Sequence, residues 1–171
     1  LKRAVYVGLL GGLIILIRPV NVFIFLVPLL YNVATVKQFS ERINYFISKW
    51  KHTIVIGVLS FFVLLPQFIY WKAITGSWLF NSYVGERFYF NNQHILEGLF
   101  SYRKGWLVYT PIMAFALIGL VFLFKKRRKY FLCLAVFLLI NIIVLYSWWS
   151  WWYGGGFGSR PMIDSYGLLA V

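Results

Sequence analysis

Three stretches of this chain contain no charged side chain at all: Thr53–Tyr70, Trp106–Phe124 and Tyr130–Tyr146. A helix needs about 17–25 apolar residues to cross the hydrocarbon core of a bilayer, and each stretch meets that length. The rest of the chain does not balance them with polar surface. Charged residues make up 12% of the sequence and hydrophobic residues 61%, whereas an ordinary soluble domain carries about 25% charged residues. One core in 171 residues has no use for so much apolar surface, so the excess is predicted to face lipid. The predicted class is all-α, a polytopic transmembrane helical bundle.

Two shorter apolar runs, Ala4–Ile17 and Val22–Val36, flank Arg18-Pro19-Val20-Asn21. Proline lacks an N–H and fixes φ, so Pro19 predicts a break and a helical hairpin with a tight turn. A further span is predicted to begin near Met162. The expectation is one domain over 1–171 with five spans and the start of a sixth. Leu1 in place of Met, and an apolar run still in progress at Gly167–Val171, predict a piece of a longer protein.

Orientation follows from Lys and Arg, which number 17 against four Asp and Glu. In a soluble protein that excess would point to nucleic acid. Here the cations lie between apolar runs, which makes topology the reading and leaves nucleic acid out. With Lys125-Lys126-Arg127-Arg128-Lys129 cytoplasmic, the inside holds eleven cations: that pentad and Lys2, Arg3, Lys37, Arg42, Lys49 and Lys51. The outside holds six: Arg18, Lys72, Arg87, Arg103, Lys104 and Arg160. Outer segments are then about 72–105 and 147–161, and cytoplasmic ones about 37–52 and 125–129. Phe39, Ile43, Phe46, Ile47 and Trp50 alternate with basic residues in 37–52, a spacing that suits an amphipathic helix on an anionic leaflet. Gly8 and Gly12 form a G-x-x-x-G spacing, with Gly11 adding to the small face, and predict close helix packing. Cys133, the single cysteine, is predicted to be a buried, inert thiol.

The densest signal is Ser147-Trp-Trp-Ser-Trp-Trp-Tyr-Gly-Gly-Gly-Phe-Gly-Ser-Arg160-Pro161. An interfacial aromatic belt accounts for Trp148 and Trp149. It does not account for Gly154, Gly155, Gly156 and Gly158, which free the backbone for close approach to a ligand, nor for Arg160 followed by a proline suited to start a helix. Backbone N–H groups, a guanidinium and a helix start suit an anionic head group, above all a phosphate. Neighbouring aromatic faces suit sugar rings or a polyprenyl chain. The run lacks the Lys-Ser/Thr ending of a nucleotide loop.

Arg18 interrupts apolar sequence at an outer hairpin end, where an ionisable residue either serves function or snorkels to the interface. Arg103-Lys104, just before a span, either holds a lipid phosphate or anchors a helix end. The outer loop also carries Trp78, Tyr83, Glu86, Tyr89, Asn92, His94, Glu97 and Tyr102. Glu86, His94 and Glu97 match no metal-ligand spacing, and no metal is assigned to them. Asp164 is placed to pair with Arg160 if both lie on an α-helix.

Taken in order, Arg18-Pro19, Tyr70-Trp71-Lys72, Thr75-Gly76, Lys104-Gly105-Trp106, Tyr109-Thr110-Pro111, Trp151-Trp152-Tyr153-Gly154-Gly155, Phe157-Gly158 and Arg160 resemble the bacterial GT-C glycosyltransferases. These are integral-membrane relatives of protein O-mannosyltransferases and of the lipid A aminoarabinose transferase. The resemblance implies an enzyme of the bacterial inner membrane that uses a polyprenyl-phosphate-linked sugar as donor. Transfer is expected on the outer face, to a lipid, glycan or protein acceptor. It further implies an acidic base, or ligand of a possible divalent metal, in a first outer loop. No such pair occurs here, so the catalytic carboxylate is expected upstream of Leu1. On this resemblance Arg160 is expected to hold the donor phosphate, Tyr153 and Trp152 to shape the pocket, and Arg103, Lys104 and Arg18 to contact the phosphate or its lipid. Two other classes compete: a lipid-linked-oligosaccharide polymerase or ligase, and a flippase or transporter, against which the charge-free spans argue.

Overall fold

The computed structural model describes residues 1–80 and 85–170. Among them the chain is helical, with one isolated antiparallel bridge, Phe88 to Trp148. In chain order the α-helices are α1 (Lys2–Ile17), α2 (Leu26–Leu30), α3 (Val36–Ser48), α4 (Trp50–Thr75), α5 (Ile95–Phe100), α6 (Trp106–Tyr109), α7 (Met113–Lys126), α8 (Arg128–Tyr146) and α9 (Tyr166–Leu169). Two 3₁₀ segments, Pro19–Phe25 and Arg160–Ser165, complete them. The chain folds as two compact units, one of Leu1–Phe25 with Thr35–Val84 and one of Leu26–Ala34 with Gly85–Val171.

In the first unit α1 and α4 pack in parallel. Gly8 lies on Ile56 and Leu59, and Gly12 lies on Ser60 and Val63, so the chain numbers rise together. A Cβ at either glycine would come within 2.9 Å of α4 atoms, backbone oxygens included. The G-x-x-x-G spacing therefore sets how closely the helices approach. Ser60 Oγ adds a bond to the Gly8 carbonyl at 2.9 Å, buried in the contact. Ser60→Ala should cost about 1 kcal/mol, the usual net worth of an intramolecular hydrogen bond. Denaturant titration of the two proteins reads it.

The Pro19 corner forms as expected. Arg18 is extended (φ −151°, ψ 115°), the conformation a following proline favours. The 3₁₀ segment then packs back on α1, with Phe25 over Gly11. The second hairpin arm does not continue as one helix through Val22–Val36. Its remainder, Leu26–Ala34, belongs to the second unit, where α2 packs on α8 and the Tyr31 and Tyr130 rings meet edge to face at 5.4 Å. Pro28 sits in the first turn of α2, where its missing N–H has no helical partner to lose. Beyond Leu30 the chain turns at Asn32 (φ 59°).

α4 and α8 are long and apolar enough to cross a membrane, with mean hydropathies of 2.1 and 2.3 over their most apolar windows. They match the predicted runs Thr53–Tyr70 and Tyr130–Tyr146. Only 6% of the α4 window is buried, so its apolar length needs cover that its own unit does not give. The run Trp106–Phe124 is not one helix. Pro111 pushes Thr110 out of the helical region (φ −134°, ψ 65°), which ends α6 and leaves α7 to start at Met113. The expected start of a further span near Met162 takes the form of the 3₁₀ segment and the four-residue α9.

The core of the second unit gathers on α8: Cys133, Leu134, Phe137, Leu138 and Leu145, closed by fully buried Trp106, Tyr146 and Met162. Gly98 on α5 lies directly against the Tyr146 ring. Trp106 Nε1 donates to Tyr166 Oη at 3.1 Å, and Tyr166 donates to Thr110 Oγ1 at 3.2 Å, which ties α6 to α9.

Candidate functional site

The aromatic–glycine segment folds back over the end of α8. Carbonyls in the last turn of a helix have spare acceptor capacity, and the segment adds a side-chain donor to two that already accept backbone N–H groups. Ser147 Oγ donates to the Ile143 carbonyl at 2.6 Å, and the Tyr153 hydroxyl donates to the Leu145 carbonyl at 2.7 Å. To reach back, Tyr153 takes φ 50° and Gly154 φ 72°. Left-handed backbone is uncommon for a bulky residue and persists where its surroundings hold it. A second pin follows, Tyr146 Oη to Ser159 Oγ at 3.0 Å, both side chains being buried.

Between these pins Arg160 turns its guanidinium back along the loop. Nη2 donates to the Tyr153 carbonyl at 3.0 Å. Gly156 makes room for it, since a Cβ at 156 would lie 2.5 Å from Arg160 Nε. The expected pairing with Asp164 needed an α-helix. The segment is 3₁₀, in which positions three apart align and positions four apart do not. Pro161 follows Arg160 at the start of this 3₁₀ segment, as the sequence predicted for a helix start.

Arg103 arrives from a separate segment. After α5 the Ser101 hydroxyl accepts from Arg103 N at 2.9 Å, and Gly105 N donates to the Ser101 carbonyl at 2.7 Å, forming a tight turn before α6. Its guanidinium lies over the Trp152 ring, 3.9 Å from the centroid. Trp152 is set edge-on against Trp149 and Trp151 at 6.0 and 5.9 Å. Trp151 is buried and stacks on His94 at 5.9 Å. Two guanidinium groups thus rest on consecutive residues, Arg103 on Trp152 and Arg160 on Tyr153. The partner of each is neutral, an indole face and a carbonyl, so neither positive charge is cancelled by a carboxylate among the described residues. Both arginines are exposed, so an incoming anion meets them without displacing protein.

Lys104 lies half-buried beside Arg103 in the same turn. Arg18 belongs to the other unit, where it forms the Pro19 corner with contacts of its own. His94 Nδ1 is 3.6 Å from Glu97 Oε1. Among the described residues no three His, Cys, Asp or Glu side chains come together to hold a metal ion, so the divalent ion that the resemblance allows has no ligand set among them. Tyr83 lies outside the described residues.

Two supports of the site have no sequence signal as supports. Residues 87–94 run alongside the α8 end, with Tyr89 N donating to the Ser147 carbonyl at 2.6 Å, Trp149 N to the Arg87 carbonyl at 3.1 Å and His94 N to the Tyr146 carbonyl at 3.0 Å. Tyr109 meets Phe157 edge to face at 5.0 Å, while its hydroxyl donates to the Tyr102 carbonyl at 2.7 Å. Both arise from residues brought together only by folding.

No family model, curated protein or solved structure matches this chain.

Proposed function

We propose that this chain is part of a polytopic bacterial inner-membrane glycosyltransferase that uses a polyprenyl-phosphate-linked sugar as donor. The observation that supports it is the pair of uncancelled guanidinium groups on Trp152 and Tyr153, set in an aromatic, glycine-rich loop. In the proposed topology α4 and α8 cross the membrane, the further apolar runs cross beside them, and 147–161 faces outward. The donor phosphate is met by Arg160, with Arg103 and Lys104 as further contacts, and the sugar or the first isoprene units lie on Trp152 and Tyr153.

In the reaction the bond from the anomeric carbon to the phosphate oxygen breaks, and its electron pair stays on the phosphate. The acceptor oxygen forms the new bond and loses its proton to a base that none of these residues supplies. Charge builds on the phosphate as the bond breaks, and a fixed guanidinium stabilises that charge. Arg160 is suited to this because its fork reaches two phosphate oxygens at once.

A photoreactive polyprenyl phosphate, activated in membranes holding the intact protein, tests the site. Adducts mapped by mass spectrometry are expected within 147–161 and at 102–106. Labelling spread along α4 with none in these segments would reject the assignment.

A further inference from the structure

A second cationic site is built from residues of the first unit alone. At the N-terminal ends of α1 and α4, and beside α3, is an open cavity of about 330 Å³. Its walls are apolar where Ala4, Phe46 and Ile56 line it, and its rim carries Arg3, Lys49 and His52. The first unit holds a single carboxylate among its residues, Glu41, which does not border the cavity. Arg3 and Lys49 are exposed and form no ion pair among the described residues.

α3 gives the cavity its setting. Thr35 caps it, its hydroxyl accepting from Gln38 N at 3.3 Å. At 3.6 residues per turn, Val36, Phe39, Ile43, Phe46 and Ile47 share one arc of about 100°. Lys37, Arg42 and Lys49 lie off it. The arc is only partly covered: Ile43 and Phe46 are half-buried, while Val36 is 87% exposed and Ile47 64%. Phe46 belongs both to this arc and to the cavity wall. A helix with one apolar face and a basic margin, joined through Lys49 to the start of an apolar helix long enough to cross a bilayer, matches a leaflet surface with negative charge.

We propose that this cavity binds an anionic phospholipid, with Arg3 and Lys49 meeting its phosphate, the acyl chains running along the Ala4, Phe46 and Ile56 wall, and α3 lying on the leaflet. The inference rests on α4 crossing the membrane and is independent of the sugar-transfer reading. A soluble phosphate would leave the apolar wall and the α3 face uncovered, which is why the ligand is assigned as a lipid.

The intact protein is reconstituted in nanodiscs of equal phosphatidylglycerol and phosphatidylcholine, and its retained lipids are counted by native mass spectrometry. Phosphatidylglycerol is expected to be retained about tenfold over phosphatidylcholine. Arg3→Gln with Lys49→Gln should abolish the preference. The charge-keeping pair Arg3→Lys with Lys49→Arg, and Lys125→Gln with Lys126→Gln, which remove as much charge elsewhere, should both keep it. No preference in the wild type, or an unchanged preference in the double glutamine variant, overturns the proposal. Extraction of membranes with alkaline carbonate separates the two claims. Release of the protein would reject the spanning reading of α4, while retention with no lipid preference rejects only the lipid site.

Discussion

Arg160→Ala is expected to lower sugar transfer about a hundredfold, equivalent to about 3 kcal/mol of transition-state stabilisation. The loss should fall on turnover more than on donor affinity, because in the proposed reaction the charge beside Arg160 grows as the sugar–phosphate bond breaks. The side chain is exposed and donates to the Tyr153 carbonyl, and its removal touches neither donor nor acceptor of the pins at Tyr153–Leu145 and Tyr146–Ser159. Folding should therefore be preserved, and an unchanged melting temperature is part of the expected result. Arg160→Lys keeps the charge and loses the planar fork, and should recover only part of the rate. Kinetics with saturating donor, measured on matched amounts of folded protein, decide it. Full turnover in the alanine variant would remove Arg160 from the chemistry.

Gly12→Leu should have the largest effect on stability, because there the added atoms meet backbone as well as side chain. A Cβ at 12 lies 2.8 Å from the Ser60 carbonyl oxygen and 2.8 Å from Val63 Cβ, and leucine adds three carbons beyond it. α1 must then move off α4 and give up the Ser60–Gly8 bond with the rest of the contact. Overpacking of this kind costs about 1–3 kcal/mol, and the upper end is expected where backbone cannot yield. At Gly11 the atoms nearest to an added Cβ belong to the Phe25 ring, a side chain and not backbone, so Gly11→Leu should cost less. Gly57→Leu provides the control: nothing lies within 4 Å of a Cβ at 57, so it should be close to neutral. Denaturant titrations of the three variants in one detergent give the comparison. Equal losses at 12 and 57 would mean that the α1–α4 contact does not govern the unit.

What was legible in the sequence was legible because it is local. α4 and α8 follow from unbroken apolar runs, and the Gly8–Gly12 contact from a spacing within one helix. α3 follows from its period. The run Trp106–Phe124 shows where that reading stops. Its composition is that of a span, yet one proline ends α6 and sets Thr110 aside, an effect of backbone sterics that hydropathy does not register. Val22–Val36 divides for a different reason: Phe25 fits over Gly11 in one unit while α2 packs on α8 in the other. At the site, residue type pointed to Arg160, Tyr153, Trp152 and Arg103 singly. The pairing of Arg103 with Trp152 and the contact of Gly98 with Tyr146 depend on segments far apart in the chain, and the capping of α8 by Tyr153 depends on a left-handed turn that folds the loop back onto Leu145. No periodicity or spacing encodes those.

Sugar transfer from a polyprenyl-phosphate donor is the activity proposed for this protein. The most direct measurement supplies the intact protein in bilayers with a polyprenyl-phosphate-linked sugar, radiolabelled in the sugar, together with extracts of its own cell envelope as acceptor. Label is expected to pass to an acceptor, polyprenyl phosphate to be released in equal amount, and both to fall about a hundredfold in Arg160→Ala. Intact donor after long incubation with folded protein, or donor carried across the bilayer with its sugar still attached, would contradict it.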